Sequence, residues 1–468
     1  MEIPFALGHY KGRSLNINAQ ECINWFSVKD YRGGKRDALI GTPGIVEFAD
    51  LGIDYPIRGM HVFGDYLYAV CRQGFYQIDS SGTVSLVDDI ESLSGVVKMD
   101  DNGIHMLIVD GTFGYTFDGT TLTKVSDTDF PGADTVCFID GYFLVNKPST
   151  GQVWASGSYD GTSWNATHYK TAEGSPDNLL AVLRGNRLLW LYGAKTSEIW
   201  YNSGSGTPPF TRIAGGFLNT GTGAKFSPAF IDNTPYWLSD ERQIVRASGY
   251  VAEIVSPRAL DHVFAGYSTV SDAIGYGYTL EGYSFYDLTF PTENVTWSYE
   301  ISSGEFHRKA LWDTNNGFMR HRGACHASFA GKQLVGDYTN GKIYELDLDT
   351  YTDDGDLIRR VNVFPRVRPK DRGRLFIPRL ELELEAGTGL ITGQGRTPYA
   401  MLDWSDDGGH TWGPEKWKEV GKIGEYGERT IFERLGSTIG RHFRLTVADP
   451  VKWVLVGAHM QGPFMSER

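Results

Sequence analysis

A chain of 468 residues, 41% of them hydrophobic, can bury a sizeable core, which excludes wholesale disorder. Its formal net charge of −13 argues against a protein that grips nucleic acid by neutralising phosphates, although a like-charged wall can let DNA slide past without sticking. Fifty-seven glycines beside 25 Tyr, 25 Phe and 12 Trp suit short strands joined by tight turns, so the expected class is all-β.

The opening stretch, MEIPFALGHYKGR, has no charged start followed by an apolar run, and no later stretch approaches 18 apolar residues. Neither a signal peptide nor a membrane span is expected. Four cysteines (Cys22, Cys71, Cys137 and Cys325) stand far apart without a CxxC pair and read as reduced, buried thiols. Residues 1–55 are expected to form an extended or β segment.

From residue 56 to 355 one pattern recurs: a polar turn, an apolar strand, a second turn and an aromatic-rich strand. It begins at Gly64 (GDYLYAVCRQGFYQID), Asp101, Asp140 (DGYFLVNKPSTGQVWASG) and Gly185 (GNRLLWLYGAKTSEIWYN). Looser copies begin at Asp232, Glu281 and Gly331, giving steps of 37, 39, 45, 47, 49 and 50 residues. A four-stranded propeller blade needs about 40–50 residues, and one blade cannot bury both faces of its sheet without neighbours. The spacing predicts a β-propeller of about seven blades, with six to eight possible. One helix is expected at SPRALDHVFAGY, with Ser256 as N-cap, Pro257 at the first helical position and Gly266 near the end.

The texture changes after the acidic loop TYTDDGD (350–356), and a further β domain is expected over 356–468, either a sandwich or a closing blade. Leu380, Leu382 and Leu384 alternate with Glu381, Glu383 and Glu385, the period of a strand with one buried face. In WSDDGGHTW, residues Ser405-x-Asp407-x-Gly409-x-Thr411-Trp412 match the Asp-box, a turn motif common in sialidases and other propellers. A Ser hydroxyl and an Asp carboxylate can accept hydrogen bonds from N–H groups of their own turn, so the expected role is to lock a hairpin. A degenerate copy, SYDGTSW, begins at Ser158.

The sialidase alternative, a glycan-binding or glycan-cleaving propeller, calls for an Arg ahead of Ile-Pro. Here Phe376-Ile377-Pro378 lacks it, and one good Asp-box stands where several are expected. The carboxylates of Asp347–Asp356 miss the Ca²⁺-loop pattern, and His321, Cys325 and His326 have no second ligand cluster to complete a zinc site. Neither P-loop, GxSxG nor HExxH occurs, so no catalytic residue, cofactor or metal is expected. The run Arg366, Arg368, Lys370, Arg372 and Arg374 is a candidate partner- or DNA-contact loop, though without interleaved aromatics for base stacking.

Several stretches, in order along most of the chain, resemble the packaged-DNA stabilisation proteins (tail hub or nozzle components) of short-tailed bacteriophages. They include CINWFSVKD, LIGTPGIVEFADLG, PIRGMHVFGDYLYAV, FPGADTVCFIDGYFLVNKPSTGQ, AEGSPDNLLAV, EIWYNSG, LVGDYTNGKIYELDLDTYTDDGD, WSDDGGHTW and GKIGEYGERTIFERLG. The resemblance implies a structural virion protein, not an enzyme, assembled in the host cytoplasm into a six-copy ring below the portal and adaptor. Such a ring closes the DNA channel, retains the packaged DNA and offers attachment for spikes or fibres and a needle or plug. No short motif marks the family's interfaces, so no contact residue is carried over from it.

Overall fold

The computed structural model describes residues 2–15, 18–30, 36–369 and 373–461 of the chain. Each of the seven recurring stretches falls on the turn between the first and second strands of an antiparallel sheet. In five of them, at Asp140-Gly141, Asn186-Arg187, Asp232-Asn233, Glu281-Gly282 and Ala330-Gly331, both turn residues have positive φ. That two-residue geometry matches the right-handed twist of the strands it joins.

Among the described residues, five consecutive meanders of four strands form the first five blades, from Ile57–Phe63 through Val251–Ile254. The sixth runs from Ile274–Leu280 to Glu305–Asp313. The seventh takes three strands from Gly323–Phe329, Lys332–Asp337 and Lys342–Asp347, and its fourth from far upstream, Gly44–Asp50. The first strands of all seven line the axis, each packed against the next and Gly323–Phe329 back against Ile57–Phe63. The sheets therefore close into a seven-bladed propeller, fastened by an N-terminal strand.

Burial follows position in the blade. The second strand is covered on both faces by neighbouring blades, which is why Met106–Val109 (MLIV) and Leu188–Gly193 (LLWLYG) read as unbroken apolar runs. Every seam between blades holds its own apolar cluster. Tyr68, Phe75, Ile108 and Phe117 fill the first, and Trp190, Tyr192, Ile199 and Trp237 the fourth. Each fully buried large side chain contributes roughly 1.5–3 kcal/mol of transfer free energy. The sixth seam is mixed. Beside Tyr276, Tyr278 and Tyr344 it buries an ion pair, Lys309 Nζ to Asp287 at 2.8 Å, with the ammonium also donating to Tyr278 Oη at 3.1 Å.

The C-terminal region forms a β-sandwich and not a closing blade. One sheet is ordered Trp25–Asp30, Arg36–Gly41, Val454–Gln461, Arg379–Leu384, Thr430–Glu433. The facing sheet is ordered Arg360–Val363, His442–Val447, Tyr399–Ser405, Lys416–Glu419. Leu380, Leu382 and Leu384 point into the core with Leu402, Phe443 and Leu445, and the N-terminal residues Ile3, Phe5, Trp25 and Leu39 complete it. The second sheet continues into the sixth blade through Cys22–Ile23, since Ile23 pairs with both Arg308 and Val361. Propeller and sandwich thus share one hydrogen-bonded ladder.

The helix forms at Arg258–Ala265, one residue later than Ser256 as N-cap predicts. Pro257 takes the cap position, while Ser256 Oγ donates to Asp261 Oδ1 at 2.5 Å and accepts from Ile244 N at 3.1 Å. The Ser256 hydroxyl therefore fastens the loop to the fifth blade. Cys22, Cys71 and Cys137 are buried free thiols, and Cys325 is half-buried.

Candidate functional site

Two features singled out in the sequence meet at one end of the sandwich. The hairpin after Tyr399–Ser405 reverses through Gly408 and Gly409, with φ of 83° and 95°, a region that side chains with a Cβ rarely enter. Asp407 organises this turn. Its Oδ1 accepts from Ser405 Oγ at 2.6 Å and His410 N at 2.9 Å; its Oδ2 accepts from Thr411 Oγ1 at 2.6 Å. Thr411 N lies 3.0 Å from both oxygens, and Gly409 N donates to Ser405 Oγ at 2.8 Å. Hydrogen bonds from Ser405 and then Thr411 hold the Asp407 carboxyl well below the usual carboxylate range.

Trp412 turns away from this network. Arg444 stacks over its ring at 4.2 Å while its guanidinium binds Asp403, Nε to Oδ1 at 2.9 Å. The indole packs against Ile23, Ala310, Val361 and Val363, the cluster where the sandwich meets the sixth blade. A Cβ added at Gly409 would lie 3.1 Å from that of Ala19. The hairpin therefore stands at the joint between the two halves of the molecule.

The basic run lies alongside. Val367 bridges Arg441 through paired backbone hydrogen bonds of 2.8 and 2.9 Å. Arg441 in turn reaches the hairpin, its Nε and Nη2 each 2.7 Å from an oxygen of Asp406, with Nη1 donating to the Leu435 carbonyl. No sequence motif marks Arg441 in TIGRHFR. Arg368 and Arg374 are exposed, the latter donating to Ser437 Oγ at 3.3 Å, and Arg366 is half-buried against Gly440. Lys370 and Arg372 lie outside the described residues.

The other candidates are absorbed locally. In SYDGTSW, Asp160 Oδ1 accepts from Thr162 N at 2.9 Å and Thr162 Oγ1 at 2.6 Å, and the buried Trp164 donates to the Gly161 carbonyl at 2.9 Å. In the acidic loop, Asp354 meets Lys342 Nζ at 3.0 Å, Asp347 accepts from Thr350, and Asp356 pairs with Arg322 at 2.9 Å. Asp353 is buried, its carboxyl pushed up to about 6 by desolvation against the pull of Arg360. Cys325 and His326 lie on the first strand of the seventh blade. His321 precedes it, with Nδ1 accepting from Gly323 N at 3.1 Å.

No curated protein sequence matches the chain. Among solved structures it is similar to the N-terminal domain of Nup159, at 10% identity and a TM-score of 0.43, covering 69% of this chain and 98% of that one. Similarity to the WD40 β-propeller domain of Doa1 is 12% in identity and 0.42 in TM-score, with coverage of 64% and 97%. For PorZ of Porphyromonas gingivalis the values are 11% and 0.40, with coverage of 81% and 46%. Similarity this low has no functional content. The family comparison is of another order. A family model described as bacteriophage P22 Gp10, β-propeller, matches residues 1–351, and a second, bacteriophage P22 Gp10, β-sandwich, matches residues 363–462. With a propeller and a sandwich in that order along the chain, this protein belongs to the bacteriophage P22 Gp10 family, phage structural proteins of the tail that stabilise packaged DNA.

Proposed function

We propose that the chain is a tail-hub subunit that assembles into a closed ring, of six copies, below the portal and adaptor. There it closes the DNA channel after packaging and offers attachment for spikes or fibres and for a needle or plug. The single observation that carries this reading is the match to the P22 Gp10 family over both halves of the chain. The architecture is consistent with it. A propeller is a stiff disc with loops on two faces and a rim. Here the disc is also joined by a continuous ladder to a second domain, a sound design for bearing load. A ring follows from one heterologous contact repeated until the rotation closes.

Within that reading, the hairpin at Ser405, Asp407, Gly409, Thr411 and Trp412 is a structural turn that stiffens the joint between propeller and sandwich. The exposed Arg368 and Arg374 belong to a loop that contacts a neighbouring protein of the tail. DNA passes through the assembled ring without sequence-specific binding. The test is electron microscopy of the purified chain, alone and mixed with the adaptor. Ring-shaped particles docking on the adaptor are expected. A persistent monomer with no affinity for the adaptor, combined with release of sugar from host polysaccharide, would overturn the proposal in favour of a glycan-directed propeller.

A further inference from the structure

The first strands of the second, third and fourth blades line a partly open cavity of about 230 Å³ near the propeller axis, where it meets the segment leading into the fifth. Its charged lining is Lys98, Arg184, Lys225 and Asp100, three cations to one carboxylate, in a chain whose 57 acidic residues outnumber 44 basic ones. Phe226 reaches across the axis. Its carbonyl accepts from Gly275 N of the sixth blade at 2.9 Å, while Lys98 of the second blade approaches its ring to 5.7 Å and Lys225 to 5.0 Å.

The cations differ in how they are satisfied. Lys225 is paired with Asp134 at 2.6 Å. Arg184, half-exposed, donates to the Phe138 carbonyl at 3.0 Å and stands 4.0 Å from Asp100. Asp100 is itself engaged, accepting from Phe138 N at 2.6 Å. Lys98 has no carboxylate partner among the described residues. Its electrostatic neighbour is the Cys325 thiol, which burial keeps protonated, and desolvation pulls the Lys98 ammonium pKa down. A desolvated ammonium without a counter-charge is costly, and an anion supplied from outside removes that cost.

We propose that the axial cavity binds a small free oxyanion, inorganic phosphate or a compound of that class, with Lys98 as its counter-charge and Arg184 beside it. The volume of about 230 Å³ suits this ligand: at ~30 Å³ per water it corresponds to roughly eight waters, ample for a hydrated phosphate and too little for a nucleic-acid duplex. Because the protein as a whole repels anions, a saturable oxyanion site stands out against weak surface binding. Binding would also tie the blades together across the axis and add to the stiffness of the disc.

The experiment is calorimetric titration of the full chain with sodium phosphate against sodium chloride at matched ionic strength, with the thermal midpoint followed in parallel. Saturable one-to-one binding that raises the midpoint is expected. Lys98→Met should weaken it about tenfold or more, and Arg184→Gln by less. Should Lys98→Met fail to fold, the half-exposed Arg184→Gln carries the test alone. Heat no different from the chloride control overturns the proposal, as does phosphate affinity unchanged in the folded variants. Displacement of phosphate by a single-stranded oligonucleotide overturns the assignment to a free ion.

Discussion

The propeller and the sandwich are both made of short antiparallel strands, yet they are assembled in opposite ways. Six of the seven blades are contiguous meanders in which each strand pairs with its sequence neighbour. The sandwich is built from the two ends of the chain. Trp25–Asp30 and Arg36–Gly41 share a sheet with Val454–Gln461, so strands more than 400 residues apart complete one core. The seventh blade lies between these extremes, since three local strands await Gly44–Asp50. The N-terminal segment therefore supplies strands to both halves and makes their folding interdependent.

The largest effect should come from deleting residues 1–50. Such a chain loses the fourth strand of the seventh blade and two strands of the sandwich together, so neither half should survive limited proteolysis as a stable core. Recovery of an intact sandwich fragment would show that the two halves fold independently. Next come single buried side chains. Trp25 is fully buried in the sandwich core, and Trp25→Ala should cost about 3–5 kcal/mol, loosening residues near 380 and 445 by hydrogen exchange. In the propeller, Lys309→Met leaves Asp287 buried and unpaired, again at about 3–5 kcal/mol, and adding Asp287→Leu should restore much of the loss in chemical denaturation.

A smaller and more graded effect concerns pH. Burial lowers His9 and His307 to about 3 and His326 to about 4. Unfolded, these imidazoles take up protons near pH 6.5, so below that value the unfolded state binds more protons and stability falls with pH. Asp353 acts in the opposite sense. Its folded value of about 6 lies above the unfolded one, so the folded state gains as pH drops through 6. Burial also lowers His105, His321 and His442 and raises Asp100. With six histidines against two carboxyls, the urea midpoint should decline between pH 6.5 and 4.5, and His307→Gln should flatten that slope. The smallest effect is expected from Asp407→Ala. Faster hydrogen exchange should be confined to 405–412 and the neighbouring joint, with little change in the global midpoint. A lost glycan-binding signal with unchanged exchange would instead give the hairpin a ligand role.

The contrast between the halves also explains what could be read in advance. All seven turn signals, from Gly64 to Gly331, fall on the first hairpin of a blade, because a tight turn, in five of them with both central residues at positive φ, demands local chemistry and the buried second strand demands an apolar run. The Leu380–Leu384 alternation found its face for the same reason. Ser256 misled as a helix cap because its hydroxyl had a better partner in tertiary space, the amide of Ile244. Near the candidate site, Ser405, Asp407, Gly409 and Thr411 were legible because they bond within their own turn. Arg441 was not, since its worth lies in Asp406, 35 residues away, and in the Leu435 carbonyl.

The amino-acid sequence alone determined the all-β class, the repeating hairpin and the family resemblance, all of which rest on residues a few positions apart. Only the tertiary structure decided that the first 50 residues fasten the ring and finish the sandwich, and that one ladder runs through Cys22–Ile23 from blade to sandwich. It alone placed Lys98, Arg184 and Lys225 around one axial cavity. These features depend on groups brought together over hundreds of residues, where the pairing energy is set by desolvation and geometry and leaves no periodic trace in the chain.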